Sequence, residues 1–217
     1  MRVDAARRGP RVLVVIVLAA LAFSGCVVDF TGNLAGTKVA MLGDSLLGKS
    51  ADQQHLRLDP TYQTSINAGY GSTIAKAQPV GAELAALAPP ILVVDLGTND
   101  AWNSVPTDTS IADYDHIVDQ FPTSCLVVVT IVDTVPGPAG SPYHPQLAAA
   151  LNDHIRAYAT RNDAVVVDWQ AALIGHEAEY NEAADGIHQT ELGKAVLADL
   201  VGAGVDECQA RLLARPS

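Results

Sequence analysis

Four short polar segments of this chain carry residue types that could together perform acyl transfer. They lie at 43–46 (Gly-Asp-Ser-Leu), 67–71 (Asn-Ala-Gly-Tyr-Gly), 97–100 (Gly-Thr-Asn-Asp) and 185–188 (Asp-Gly-Ile-His). A serine hydroxyl becomes an effective nucleophile when an adjacent base takes its proton, and a histidine oriented by a carboxylate is a common base. Acyl transfer also needs donors for the oxyanion that forms. The four segments supply each of these parts.

The residue types suggest a role for each candidate. Ser45 is the expected nucleophile, His188 the general base, and Asp185 the carboxylate that orients the histidine. The backbone N–H groups of Ser45 and Gly71 and the side-chain amide of Asn99 are the expected oxyanion donors. A glycine suits position 71 because a side chain there would crowd the approach of the backbone to its ligand. Asp44 and Asp100 are interpreted as groups that hydrogen-bond their own loops.

Apolar runs that alternate with helical patterns predict the elements that position these residues. Leu92 to Val94 and Val127 to Val129 are continuously apolar, as is typical of parallel strands buried on both faces. The predicted strands are Lys38–Leu42, Thr64–Asn67, Ile91–Leu96, Leu126–Ile131 and Ala164–Asp168. The predicted helices are Ile74–Leu87, which Pro79 must delay or kink, Ser110–Gln120, Pro145–Arg161, and a last helix that Thr190 caps.

This alternation predicts an α/β fold, a three-layer α/β/α sandwich around a parallel five-stranded sheet. Ligands of such sheets bind outside the carboxyl ends of the strands. Ser45, Gly71 and Asn99 each follow a predicted strand, so they should meet at one edge. Asp185 and His188 precede the last helix and can reach the same edge.

The four segments, in this order, resemble those of the SGNH (GDSL-type) hydrolases, and the resemblance spans the whole region after the N-terminal segment. It implies a flavodoxin-like sheet and a serine esterase that needs no cofactor. In this resemblance Ser45, Gly71, Asn99 and His188 match the name-giving residues, with Gly69 as the alternative to Gly71. The Gly-x-Ser-x-Gly elbow of other α/β hydrolases is absent because position 47 is Leu47.

The substrate is less defined than the reaction. The resemblance implies short-chain or carbohydrate O-acyl esters, or lipid and thioester substrates. Trp102 and Tyr70 could wall the substrate site or pack elsewhere, and the proline-rich loop 135–142 could shape it or simply connect two elements. Two further hypotheses remain: an O-acyltransferase that acts on cell-envelope glycans, and a non-catalytic lipoprotein that binds a glycan or a partner protein.

The N-terminus predicts export from the cytoplasm. Four arginines precede an apolar stretch at 12–23, and the residues that follow resemble a bacterial lipobox ending at Cys26, apart from Phe23 where leucine is usual. The predicted organisation is a signal peptide at 1–25, a tether at 26–36, a hydrolase domain at 37–210 and a tail at 211–217. Cys26 is the expected site of a lipid that anchors the protein to the cell membrane, and simple secretion is the alternative.

The net charge and the cysteine content limit the partners, ligands and disulfides that we expect. The formal charge is −11, and removal of 1–25 takes away four arginines and one aspartate, which leaves −14. So acidic a chain argues against nucleic acid as a partner. No histidine or cysteine cluster has metal-ligand spacing, so we expect no metal. Cys125 and Cys208 are expected at the amino edge of the sheet, where they could form a disulfide or remain two buried thiols.

Overall fold

A sheet of six strands lies at the centre of the part of the chain that the structure describes. The structure is a computed structural model, and it describes residues 29–134 and 142–214. The strands are β1 (Thr31–Gly32), β2 (Lys38–Gly43), β3 (Gln63–Ala68), β4 (Ile91–Asp95), β5 (Cys125–Val129) and β6 (Val165–Val167). The helices are α1 (Ser45–Lys49), α2 (Ala51–Leu58), α3 (Ile74–Ala86), α4 (Thr98–Trp102), α5 (Thr107–Val118), α6 (Pro145–Asn162), α7 (Trp169–Leu173), α8 (Glu177–Tyr180) and α9 (Glu191–Ala214).

The sheet has the order β1-β3-β2-β4-β5-β6, and every pairing from β3 to β6 is parallel. The five predicted parallel strands are therefore confirmed. The prediction missed β1, which adds an antiparallel edge through Thr31 opposite Thr64. A strand of two exposed residues has no apolar alternation, so its sequence carries no strand signal.

Helices cover both faces of the sheet and complete the three predicted layers. On one face, α9 packs across β4, β5 and β6 and against α2, while α3, α5 and α6 cover the other. Between these helices, every residue of β4 and β5 is buried. α9 approaches the sheet closely at Gly204, where an added Cβ would lie 2.9 Å from the Val127 side chain. The continuous apolar runs of the sequence thus fill a core shared by both layers.

Both ends of the expected domain extend further than predicted. Part of the expected tether forms β1, and the backbone of Asn33 hydrogen-bonds to Asp59 and Tyr62. The expected tail begins inside α9, which continues to Ala214 and is held by ion pairs from Arg211 to Asp163 and Glu207. The sequence showed small residues and charges at these ends but not their long-range partners.

The helix that contains Pro79 begins where its apolar pattern begins, at Ile74, rather than after the proline. Its N-cap is Thr73, whose side chain accepts a hydrogen bond from the backbone N–H of Lys76. Pro79 then lies inside the helix and provides no N–H for the Ala75 carbonyl. A proline this close to the start removes only an early bond of the helix, and α3 continues for two further turns.

A disulfide joins Cys125, at the start of β5, to Cys208 near the end of α9. Of the two states left open by the sequence, the structure shows the bonded one. It lies at the amino ends of the parallel strands, away from the edge that carries the polar segments. Within residues 29–134 and 142–214, no helix has the length and apolar character needed to cross a membrane.

Candidate active site

Ser45 is the first residue of α1, directly after β2 ends at Gly43. Asp44 caps this helix, since its Oδ1 accepts a hydrogen bond of 2.9 Å from the backbone N–H of Leu46. The cap occupies the Leu46 N–H but leaves that of Ser45 without an acceptor inside the helix. The serine hydroxyl and its own backbone N–H are thus both presented at the carboxyl edge of the sheet.

His188 connects Ser45 to Asp185. The Nε2 atom of His188 lies 3.0 Å from Ser45 Oγ, and its Nδ1 atom lies 2.6 Å from Asp185 Oδ2. The other carboxylate oxygen of Asp185 accepts hydrogen bonds of 2.9 Å from the backbone N–H groups of Ile187 and His188. Burial alone would raise the pKa of Asp185, but the bonds from the histidine ring and these two N–H groups outweigh it and lower that pKa.

The loop that carries Asp185 and His188 is fixed at both sides. Asn181 pairs with Gln189 in a short antiparallel bridge, and the Asn181 side chain donates to the Gly186 carbonyl at 2.9 Å. Gly186 has a φ of +71°, a conformation that favours glycine, and Ile187 is buried. These contacts hold the backbone so that two side chains three positions apart point at each other.

Two glycines could match the second segment, and their backbone bonds distinguish them. The Gly69 N–H already donates to the Gly43 carbonyl at 3.0 Å, whereas Gly71 lines the cleft beside Ser45 and its N–H has no acceptor among the described residues. An added Cβ at 71 would meet no protein atom within 4 Å, so no neighbouring residue requires a glycine there. A φ of +69° favours glycine, and crowding of a bound ligand stays a prediction.

Asn99 lies in the first turn of α4, after β4. The preceding Gly97 has a φ of +124°, and an added Cβ would lie 2.4 Å from Leu151. Asp100 ties this turn to α3, since its Oδ2 accepts from the backbone N–H of Ile74 at 2.9 Å. The Asn99 Nδ2 atom has no hydrogen-bond partner in the described parts of the chain. Asn99 itself lines the cleft beside Ser45.

Three carboxyl groups, those of Asp44, Asp95 and Asp100, are buried at this edge of the sheet. Burial raises the pKa of Asp44, although the hydrogen bond from the Leu46 N–H and the nearby polar side chains of Asn99 and Thr98 oppose this rise. Burial and the neighbouring Asp44 raise the pKa of Asp95. Burial also raises the pKa of Asp100, despite the bond from Ile74. Asp95 was not singled out in the sequence because it ends a strand that otherwise reads as apolar.

The side chains described above open onto a cleft of about 280 Å³. Trp102 is half-buried on one wall, and Tyr70 lies at the rim with 68% of its surface exposed. Both residues thus line the cleft, as one of the two readings of the sequence expected. The complete lining comprises Ser45, Lys49, Tyr70, Gly71, Thr98, Asn99, Trp102, Ile187 and His188.

Three cleft residues were missed by the sequence interpretation: Lys49, Thr98 and Ile187. Lys49 could have been found, because it follows Ser45 by four residues and a helix after β2 would place both on one face. Two other predicted features lie outside the described residues, namely the lipid site at Cys26 and positions 135–141 of the proline-rich loop. Among the residues that the structure describes, no group of three or more His, Cys, Asp or Glu side chains could hold a metal ion.

Comparison with protein families identifies the class of protein to which the chain belongs. Residues 41–196 match the model of the GDSL-like lipase/acylhydrolase family, and this span contains all four polar segments. The protein is a serine hydrolase that acts on ester bonds. The chain belongs to the GDSL-like lipase/acylhydrolase family, which confirms the resemblance found in the sequence. No match was found among curated proteins.

Solved structures share the fold at low sequence identity. A lipase/acylhydrolase from Enterococcus faecalis is 14% identical with a TM-score of 0.69, and the match covers 79% of this chain and 96% of that one. The C-terminal catalytic domain of a peptidoglycan O-acetyltransferase from Streptococcus pneumoniae is 19% identical with a TM-score of 0.63, covering 82% and 97%. An acetyl xylan esterase is 15% identical with a TM-score of 0.64, covering 77% and 99%.

Proposed function

We propose that the protein hydrolyses short-chain or carbohydrate O-acyl esters through an acyl-enzyme formed on Ser45. The observation that carries this proposal is the continuous chain of hydrogen bonds from Ser45 Oγ through His188 to Asp185. It opens onto a cleft rather than into the core. A hydroxyl and an imidazole at 3.0 Å are within the distance that proton transfer requires.

In the first half of the reaction, Ser45 Oγ attacks the ester carbonyl while His188 Nε2 takes its proton. Asp185 stabilises the imidazolium that results. The negative charge on the carbonyl oxygen is received by the N–H groups of Ser45 and Gly71 and by the Asn99 amide. The tetrahedral intermediate collapses as His188 returns the proton to the leaving alcohol, so that an acyl-serine and a free alcohol are produced.

In the second half, a water molecule replaces the alcohol. His188 takes one of its protons while the oxygen attacks the acyl carbon, and the same three donors receive the oxyanion. The proton then returns to Ser45 Oγ and the carboxylic acid leaves. The site thus regains its starting protonation state with no cofactor in the cycle.

The size and walls of the cleft favour a small acyl group. At about 280 Å³ the cleft is at the low end for sites that enclose drug-sized ligands. The rings of Trp102 and Tyr70 offer apolar faces, and the exposed Tyr70 at the rim suits contact with a sugar ring that remains outside. An acetylated carbohydrate satisfies both conditions better than a long-chain lipid does.

An O-acyltransferase is the second candidate. Support comes from the structural likeness to the catalytic domain of the S. pneumoniae peptidoglycan O-acetyltransferase, and from the open rim at Tyr70, where a sugar hydroxyl could replace water. Product analysis with an acetyl donor and a glycan acceptor separates the two candidates. Free acetate supports the esterase, and acetylated acceptor supports the transferase.

We also propose that the domain works outside the cytoplasm, anchored through a lipid on Cys26. The Cys125–Cys208 disulfide supports this location, because such bonds persist in oxidising compartments. Mass spectrometry of the N-terminus of the membrane-associated protein tests the proposal. A Cys26→Ala variant should lose the lipid and leave the membrane fraction, and unchanged membrane association would contradict the anchor.

The central experiment compares Ser45→Ala with wild type on p-nitrophenyl acetate, a series of longer acyl esters and acetylated sugars. We expect the variant to lose hydrolysis of all of them and to lose labelling by a fluorophosphonate probe. Ser124→Ala is the matched control, because its hydroxyl bonds to the Pro89 carbonyl at the opposite edge of the sheet. Hydrolysis by Ser45→Ala at the wild-type rate would rule out the mechanism.

A further inference from the structure

The cleft differs in charge from the rest of the molecule. The whole sequence contains 24 acidic residues and 13 lysines and arginines. Yet none of the described residues that line the cleft is a carboxylate, and one of them, Lys49, is a cation. Asp185 does not line the cleft, and its carboxylate oxygens are bonded to the His188 ring and to the backbone N–H groups of Ile187 and His188.

Lys49 is the last residue of α1 and follows Ser45 by four positions, so the two lie one helical turn apart on the same face. Its side chain is half-buried. It forms no ion pair or hydrogen bond with any residue in 29–134 or 142–214. Of the seven other lysines and arginines in these ranges, four contact carboxylates at 4.0 Å or less, namely Arg57, Arg156, Lys194 and Arg211. The other three, Lys38, Lys76 and Arg161, also lack an ion pair there but do not line the cleft.

An unpaired ammonium group beside aromatic walls interacts more strongly with an anion than the same group in open water, since the effective dielectric constant is lower there. It is also unlike the remainder of this acidic surface, which repels anions. A lysine at a helix C-terminus is favourable for the helix itself. That role does not require the side chain to enter the cleft, however, and so leaves its position unexplained.

We propose that Lys49 is a specificity-determining residue that binds a carboxylate of the substrate. The substrate class is an acyl ester whose negative charge is separated from the ester carbon by several bonds, because the Lys49 and Ser45 side chains start from backbone positions one helical turn, about 5.4 Å, apart. The carboxylate could belong to the alcohol, as in an acylated acidic sugar, or to the acyl group, as in a half-ester of a dicarboxylic acid. This inference rests on the proposed function of Ser45.

The test uses two pairs of substrates that differ in charge. For the alcohol side, kcat/KM is measured for 3-acetoxybenzoate and for its neutral counterpart 3-acetoxybenzamide. For the acyl side, 4-nitrophenyl hemiglutarate is compared with 4-nitrophenyl pentanoate, with uncatalysed hydrolysis subtracted. The quantity of interest is the ratio of anionic to neutral substrate in each pair, which is insensitive to general damage to the enzyme.

We expect Lys49→Gln to lower this ratio by about 5- to 10-fold in one of the two pairs, which identifies the side that carries the charge. Lys49→Arg should retain most of the preference because it keeps the positive charge. Lys76→Gln is the matched control, since Lys76 also lacks an ion pair with any described residue but does not line the cleft. Its ratios should equal those of wild type.

A ratio in Lys49→Gln within twofold of wild type for both pairs would overturn the inference, as would an equal fall in Lys76→Gln. If Ser45→Ala hydrolyses these esters as wild type does, the proposed function fails instead. A further test uses only the wild-type enzyme. 3-Hydroxybenzoate should inhibit it more strongly than 3-hydroxybenzamide, and high salt should remove the difference. Equal inhibition at low salt, together with no preference in the acyl-side pair, would also overturn the inference.

Discussion

The two edges of the central sheet differ in how their polar groups are satisfied. At the carboxyl edge, Asp44 Oδ2, Asp95 Oδ2, Thr98 Oγ1 and Asn99 Nδ2 are buried without a hydrogen-bond partner among the described residues. At the amino edge, Cys125 and Cys208 are buried and covalently joined and the Ser124 hydroxyl is bonded, while Gln209 Oε1 beside them is a single buried atom that lacks a partner among the described residues. A buried polar group without a partner costs about 1–3 kcal/mol. The reactive edge therefore depends on stability supplied elsewhere in the fold.

This contrast separates residues that serve the chemistry from residues that serve the fold. Substitutions at the carboxyl edge should reduce activity more than stability, or even raise stability. Substitutions at the amino edge should do the reverse. Four variants test whether the separation holds, and each is measured both by ester hydrolysis and by thermal or denaturant unfolding.

The largest effect on activity is expected for Asp185→Asn. The amide cannot hold the histidine in the same tautomer or stabilise its charged form, so kcat should fall by roughly 10⁴-fold while KM changes little. Kinetics on p-nitrophenyl acetate measure this change. Asp163→Asn, at the exposed C-cap of α6, is the control. A loss of only a few-fold in Asp185→Asn would show that His188 is oriented by something else.

The largest effect on stability is expected when Cys125 and Cys208 are both replaced by alanine. The bond closes 83 residues of chain, and the chain-entropy model gives about 4.5 kcal/mol for a loop of this length. Denaturant unfolding should show a loss of about this size, while hydrolysis per folded molecule stays near wild type. Lost activity in the folded variant would show that the two edges are coupled.

Asn99→Ala should weaken catalysis without weakening the fold. Loss of one oxyanion donor typically costs 10²–10³-fold in kcat, or about 2.7–4 kcal/mol, because the charge it stabilises exists only in the transition state. Asn162→Ala is the control at the amino edge, where the amide donates to the Tyr158 carbonyl at 3.1 Å. It should reduce the unfolding temperature but not kcat. The opposite pattern in the two variants would contradict the contrast between the edges.

The smallest effect is expected for Asp95→Asn, and its size depends on pH. Burial holds the pKa of Asp95 above its usual value, so the folded state binds more protons than the unfolded state between the usual and the raised pKa. The contribution of Asp95 to the stability of the wild type therefore falls as the pH rises through this window. The variant lacks this loss, so its gain in unfolding free energy should be larger at pH 8 than at pH 5.

Asp168→Asn should show the opposite pH dependence and serves as the comparison. Burial would raise the pKa of Asp168, but hydrogen bonds from Arg156, the Ala171 N–H and Thr130 lower it. Its contribution to stability is therefore present above the usual carboxyl pKa and lost as pH falls through the lowered one. Replacement should destabilise the protein at pH 8 and have little effect in strong acid. If the stability effect changed with pH in the same direction in both variants, burial would not be what sets the pKa of Asp95.

The parallel strands and the polar segments could be predicted from the sequence because each has a local signal. Val127 to Val129 show a buried strand, and Asp185 and His188 are three positions apart. What could not be predicted depends on contacts between distant residues. Nothing local shows that β1 pairs with β3, that Arg211 reaches Asp163, or that the Gly69 N–H is already bonded to Gly43. The positive φ of Gly71 could not be predicted either, because backbone conformation is set by the turn and is not visible in the residue types.

The position of the disulfide has a consequence for a chain that a protease cuts once. Ser45, Gly71 and Asn99 precede Cys125, whereas Asp185 and His188 lie between the two cysteines. A single cut in the chain between 125 and 208 therefore yields two polypeptides that remain covalently linked. One of them carries the serine, and a cut before 185 leaves the histidine on the other. Such a nicked molecule keeps the two parts of its site together until the disulfide is reduced.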